Sequence, residues 1–124
     1  MSDVLVVDVG ERRLAVAVAH VRAISAAGFV TPVPTAPSPV VGVTQLRGQI
    51  LPVIDIVQPP RVVQPQDPLL VLEYGPVRAA LVFTRLCPPD EADDAGGGAP
   101  PGATIERLDV GALFDLVRAR AGGP

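Results

Sequence analysis

The chain contains no lysine, no tryptophan and no asparagine, and only one histidine (His20), one cysteine (Cys87) and one tyrosine (Tyr74). Each absence excludes a class of chemistry. A phosphate-cradling GxxxxGK loop needs a lysine, so the P-loop nucleotidases are excluded. Zinc sites built on Cys and His need about four ligands, which one residue of each type cannot supply. A lone cysteine closes no intramolecular disulfide, which fits a reducing compartment. The ten basic residues, all arginine, are outnumbered by thirteen Asp and Glu, for a net charge of -3. Without a basic stripe, such a domain is a poor match to nucleic acid. Met1-Ser2-Asp3 lacks the basic n-region of a signal peptide. The longest uncharged stretch, Ala23 to Leu46, is broken by Pro32, Pro34, Pro37 and Pro39, which excludes a membrane helix. These features predict a soluble, cytoplasmic, non-enzymatic protein with no catalytic residue, no metal, no cofactor, no nucleic-acid partner and no membrane insertion.

What is present points to β structure. Valine (21 residues), alanine (16), proline (15) and glycine (12) dominate, with three Phe. Small branched side chains suit strands, and the prolines punctuate too often for a helical protein. The chain also repeats itself. Leu5-Val-Val-Asp-Val-Gly10 followed by Leu14-Ala-Val-Ala-Val18 recurs 65 residues later as Leu70-Val-Leu-Glu-Tyr-Gly75 followed by Ala79-Ala-Leu-Val-Phe83. In register, Asp8 matches Glu73, Gly10 matches Gly75, Arg13 matches Arg78 and Val21 matches Leu86. Each copy reads as a β-hairpin closed at a glycine.

The copies end alike: Gly48 through Asp55-Ile matches Gly102 through Asp109-Val at an offset of 54, so the second copy is 11 residues shorter. The first copy carries a plausible strand, Val40-Val-Gly-Val-Thr-Gln-Leu46, in the region that differs. The second carries Pro88 through Gly102, acidic and rich in Gly and Pro, which reads as a flexible loop. This predicts a second lobe lacking at least one strand. The repeat predicts a single domain over 1–124 with a first lobe of about 10–60, a second of about 65–124, and the N-terminal strand near the lobe junction. Ala19 to Ser25 reads as a short helical turn with Val21 and Ile24 on one face. Asp109 is placed to cap a helix from Val110 to about Ala121, with Leu113, Leu116 and Val117 as its apolar stripe and Gly122-Gly123 as its stop.

The few chemically versatile residues read as structural. His20 has no carboxylate or cysteine near it in sequence, and Cys87, beside two prolines, reads as a small buried hydrophobe. The acidic run Asp90 to Asp94 does not follow the EF-hand spacing. Asp55 and Asp109 hold equivalent places in the two copies, which favours turn or capping roles.

Three segments carry a family resemblance: Thr31-Pro-Val-Pro34, Val41-Gly-Val-Thr-Gln-Leu-Arg-Gly48 and Ile50-Leu-Pro-Val-Ile-Asp55. Together with both hairpins and the closing Leu-Asp before a helix, they resemble the signature of CheW-like coupling proteins, including the short accessory members of the myxobacterial Frz type. The resemblance implies a mainly β fold of two pseudo-symmetric SH3-like barrels, here with a shortened second lobe and a C-terminal helix. It implies an adaptor of cytoplasmic chemosensory arrays that joins methyl-accepting receptors to a CheA-type histidine kinase, with another CheW-like protein as a further partner. By the same resemblance, Leu5, Val18, Val21 and Leu86 line an apolar groove for the receptor tip, and Arg47 belongs to the interaction surface. Gly42, Gly48, Pro52, Asp55 and Asp109 fall to the structural motif. The sequence departs from the family in having Gln45 where Asn is usual, and in its shortened second copy. In the family that lobe supplies the main kinase contact, so its shortening implies weakened kinase binding. An inhibitory decoy and a small-molecule-binding barrel are the alternatives; the groove positions offer the latter no convergent polar groups.

Overall fold

The computed structural model describes residues 3–32, 40–57, 62–87 and 105–121, with side chains described to Val117 in the last segment. Within them run strands β1 (Val4–Val9), β2 (Arg12–Ala17), β3 (Val21–Ala26), β4 (Val30–Pro32), β5 (Val40–Leu46) and β6 (Gln49–Ile54). Then come β7 (Pro68–Tyr74), β8 (Val77–Val82), β9 (Arg85–Leu86), β10 (Ile105–Arg107) and helix α1 (Val110–Ala121). The fold is mainly β and forms two sheets, of order β10-β2-β1-β9 and β3-β7-β8-β6-β5-β4.

The repeated hairpins fold alike. β1 and β2 join through Gly10-Glu11, with Val9 opposite Arg12, and β7 and β8 join through Gly75-Pro76, with Tyr74 opposite Val77. Gly10 and Gly75 have φ of 61° and 62°, the left-handed value that a two-residue hairpin loop requires at its first position. One pair behind each turn, the aligned residues face each other as cross-strand ion pairs. Arg13 Nε lies 2.8 Å from Asp8 Oδ1, and Arg78 Nε lies 2.7 Å from Glu73 Oε2.

The strands that follow each hairpin cross to the other one. β3, from the first copy, pairs with β7 and sets Val21 opposite Leu72; β9, from the second, pairs with β1 and sets Leu86 opposite Val7. The closing strands exchange as well. β6 runs parallel to β8 with Val53 opposite Ala80, and β10 runs parallel to β2 with Arg107 opposite Ala15. The sequence offsets of 65 and 54 convert each pairing into its counterpart residue for residue. Each sheet therefore draws on both halves of the chain. The physical reason is edge satisfaction: a two-stranded hairpin leaves two open edges, and here the other copy's strands pair with both. The larger sheet adds β5 and β4 beyond β6. Their counterpart in the second copy, including the predicted loop at 88–102, lies outside the described residues, as does the expected loss of a strand there.

Between the sheets lies the main core. Val7, Val9, Leu14 and Val16 of the smaller sheet meet Ile54, Leu70, Leu72, Ala79 and Leu81 of the larger one, and α1 closes it with Val110, Leu113, Phe114 and Val117. A second cluster of Ala27, Val53, Leu69, Ala80 and Val82 fills the opposite face of the larger sheet. That double burial explains the unbroken apolar runs of β7 and β8.

Two local expectations are corrected. Residues 21–25 are strand and not part of a helical turn. A 3₁₀ turn over Val18–His20 leads directly into β3, where half-buried Val21, Ala23 and Ser25 alternate with exposed Arg22, Ile24 and Ala26. A register shift between Val21 and Ala23 sets Val21 opposite Leu72 and Ile24 opposite Leu70, so the two share a sheet face, and the edge of β7 supplies the partner. On α1, Leu116 is 43% exposed, and the buried stripe is Val110, Leu113, Phe114 and Val117 at i, i+3, i+4 and i+7. The helix begins where expected: Asp109 Oδ1 accepts from the Ala112 N–H at 2.9 Å, an N-cap bond.

Candidate functional site at the sheet seam

The four aliphatic positions named by the resemblance come from both copies, and three of them, Leu5, Val21 and Leu86, face the main core. Leu5 pairs with Val16 and stands two residues from Val7, which pairs with Leu86. Residues opposite one another share a sheet face, so Leu5, Val7 and Leu86 all face the core side. Val21, opposite Leu72, faces the same core from the larger sheet. Leu5 and Val21 are half-buried against the core cluster, whereas Val18 and Leu86 remain 44% and 42% exposed. The arrangement is an apolar rim with two covered and two accessible members.

β9 is short, and polar groups fasten it beside this rim. Asp8 sits between Arg13 of β2 and Arg85 of β9, with Arg85 Nε 3.0 Å from its Oδ2. The Cys87 thiol donates to Asp8 Oδ1 at 3.4 Å, and the Cys87 and Thr84 N–H groups donate to the Val6 and Asp8 carbonyls. The Arg13 hydrogen bond holds the Asp8 carboxyl below the usual aspartate range against the opposing effect of its partial burial. Burial, reinforced by the hydrogen bond to Asp8, pushes the Cys87 thiol upward, away from thiolate reactivity. His20 Nδ1 lies 3.2 Å from the Glu73 carbonyl, and its ring packs on Tyr74, which packs on Phe114.

Arg47 lies away from that rim, at the tip of the β5–β6 hairpin. Leu46 is opposite Gln49, leaving Arg47-Gly48 as a two-residue turn with φ of 49° and 79°. Positive φ at both positions is the type I′ pattern, for which Asn-Gly or Gly-Gly is usual. Arg47 is the one non-glycine described residue with positive φ. Its side chain lines a cavity of about 300 Å³ together with Arg22 of β3, Arg78 of β8, Gln49 and the aliphatic walls Ile24, Leu46, Leu51 and Val71. Sequence reasoning singled out Arg47 but missed Arg22 and Arg78. The three are scattered along the chain, and only the exchange of β3 onto β7 brings Arg22 to this face.

The remaining motif residues are structural in surroundings. Gly42 is buried in β5, where a Cβ would lie 2.6 Å from the Thr31 carbonyl oxygen of β4. Pro52 stands in β6 opposite Val43, immediately before that strand joins β8. Asp55 is fully buried and accepts from the Val57 N–H at 3.0 Å, an Asx-type turn, while its Oδ2 has no hydrogen-bond partner among the described residues.

Residues 3–100 match the CheW-like domain family. The chain belongs to that family. FrzA of Myxococcus xanthus is 44% identical over 50 residues, covering 40% of this chain and 31% of FrzA. The crystal structure of the scaffolding protein TtCheW from Thermoanaerobacter tengcongensis superposes with a TM-score of 0.60 at 21% identity, over 69% of this chain and 62% of TtCheW. The chain thus spans about a third of the curated relative and under two thirds of the solved one. At that identity the structural match establishes the CheW-like fold, in agreement with the paired SH3-like lobes that the motif implies.

Proposed function

We propose that this CheW-like protein is a non-enzymatic, cytoplasmic adaptor that docks the helical tip of a methyl-accepting receptor within a chemosensory array. The observation that carries the reading is the apolar rim contributed by both copies. Leu86 stays exposed on the core-facing side that Leu5 shares, Val21 faces the same core from the other sheet, and Val18 is exposed at the end of β2. A helix tip presents an apolar stripe, and aliphatic side chains at such a seam bury it without chemistry. Each fully buried contact is worth about 1–3 kcal/mol. The polar groups near the rim are engaged in fastening β9, which supports docking over catalysis.

Within this reading the shortened second copy weakens coupling to a CheA-type kinase, and contact with another CheW-like protein remains open to the same surface test. Capture of a cognate receptor tip and of the kinase regulatory domain by the purified protein separates the elements. Receptor capture that is lost in Leu86→Asp and Val18→Asp is the expected result. Absence of receptor capture by the unaltered protein refutes the adaptor reading, and strong kinase capture refutes weakened coupling. Dampened kinase output in the presence of excess protein would identify an inhibitory decoy.

A further inference from the structure

The internal repeat supplies a reference for the turn that carries Val18. At the offset of 65, Val18 matches Phe83, Ala19 matches Thr84 and His20 matches Arg85. Both turns start alike: the Val18 N–H donates to the Asp3 carbonyl at 3.0 Å, and the Phe83 N–H donates to the Pro68 carbonyl at 3.4 Å. They then diverge. In the second copy the Thr84 N–H donates to the Asp8 carbonyl at 2.7 Å, and Arg85 pairs with Asp8 in the ladder. In the first copy the counterpart carbonyl, that of Glu73, lies 3.2 Å from His20 Nδ1, and the ladder to β7 begins only at Val21. A carbonyl only accepts, so Nδ1 carries the hydrogen of that bond. An imidazole therefore does in one copy what a backbone amide does in the other.

The two turns present their residues differently. Phe83 is 3% exposed, whereas Val18, in the 3₁₀ turn Val18–His20, is 44% exposed. A side-chain bond fixes a turn only as firmly as the side chain is itself held, because its rotamers must be frozen. The His20 ring is held. It packs on Tyr74 with ring centroids 5.4 Å apart, and Tyr74 packs on Phe114 of α1 at 6.1 Å. The helix backbone also approaches Tyr74 closely, since a Cβ on Gly111 would lie 3.0 Å from the Tyr74 hydroxyl oxygen. Phe114 is buried in the main core, so the stack is rooted there. The counterpart of Tyr74 is Val9, in the copy whose turn is tied by backbone alone.

We propose that His20 and Tyr74 are positioning residues: braced by α1, they lock the Val18–His20 turn and hold Val18 exposed. The lock stands on this geometry, and its consequence for docking rests on the adaptor reading of Val18. A turn fixed in advance spares a docked segment the cost of ordering it.

Amide hydrogen exchange, followed by NMR on the full chain, reads the lock without any partner. The reporter is the Val21 N–H, which donates to the Val18 carbonyl and closes the turn. Tyr74→Leu and His20→Ala are each expected to speed its exchange about tenfold, while the Thr84 N–H and the amides of β8 keep their rates. Tyr74→Phe retains the ring and is expected to retain the slow rate. An unchanged Val21 rate in either disruptive variant overturns the proposal, as does a Tyr74→Phe protein as fast as Tyr74→Leu. Acceleration shared evenly by Thr84 and β8 also overturns it, because the two residues would then be ordinary contributors to stability. In a receptor-tip capture assay, Tyr74→Leu and His20→Ala should weaken capture about tenfold and Tyr74→Phe should not. Full-strength capture by a variant with accelerated Val21 exchange overturns the positioning role. An unaltered chain that captures no tip refutes the adaptor reading instead, and the exchange rates then decide the lock on their own.

Discussion

Replacing Arg47 with asparagine should make the protein more stable. Arg47 holds φ of 49° at the first position of a turn whose second residue, Gly48, holds 79°. For an L residue with an ordinary side chain, the left-handed region costs about 1–2 kcal/mol, and asparagine tolerates it best after glycine. Asn-Gly is also the preferred pair for this turn type. No partner among the described residues is lost, because no hydrogen bond or ion pair engages Arg47. Removing its charge also relieves repulsion with Arg22 and Arg78 around the shared cavity. The expected gain is about 1 kcal/mol, or roughly 3–6 °C in Tm for a chain of this length. Urea unfolding should show a higher midpoint with an unchanged slope. Arg47→Ala separates the two causes, since alanine keeps the backbone penalty and removes the charge. If the backbone dominates, Ala gains much less than Asn; equal gains would assign the effect to repulsion. A loss of stability in Arg47→Asn would refute the reasoning, because it would require a folded-state contact that Arg47 does not make among the described residues.

Asp8 makes stability acid-sensitive. Its folded pKa is depressed, first by the Arg13 hydrogen bond, so its contribution is complete above the unfolded aspartate value near 4. It is lost as pH falls from about 4 through the lower folded value, and Asp8→Asn should flatten urea midpoints across that window. At neutral pH the same substitution should cost about 2–3 kcal/mol, since it strips the buried Arg13 of its carboxylate. Gly42→Ala should lose about 1–3 kcal/mol by thermal unfolding, because a Cβ at 2.6 Å from the Thr31 carbonyl forces β4 and β5 apart. Asp109→Ala should lose about 1 kcal/mol with its N-cap bond, visible in denaturant midpoints and in fraying of the C-terminal helix. On that helix, Phe114→Ala should cost about 3–5 kcal/mol and Leu116→Ala should change little, which checks the assignment of its buried face.

Repetition made much of the fold readable. Asp8 with Glu73, Arg13 with Arg78 and Gly10 with Gly75 align in sequence, and each pair occupies the same place in a hairpin. Strand β5 and the limits of α1 were equally legible, from an apolar run and from a cap residue placed before a helical period. The exchange was not legible. Internal alignment says which segments are alike, and likeness does not specify which hairpin a strand will pair with. The same limit explains β3: Val21 and Ile24 fit a helical spacing, and only the open edge of β7 decides for a strand. Phe114 was overlooked because Leu116 completed an equally regular stripe on the neighbouring face. The arginine cavity stayed hidden for a related reason, since positions 22, 47 and 78 converge only once β3 has crossed over.

The exchange also bears on how such a protein could transmit docking. If each copy folded as its own lobe, a ligand could hold one lobe and leave the other indifferent. Here Leu5 and Leu86 share a sheet face although one belongs to the first hairpin and the other to the strand that follows the second. Val21 reaches the same core by the reciprocal route, from the first copy onto the second hairpin. The rim therefore draws residues from both copies on both sides of the seam. Separating the sheets would break the main core and carry each crossing strand away from its own copy. The relative placement of the hairpins is consequently held by ladder pairing and packing together, which preorganises the seam.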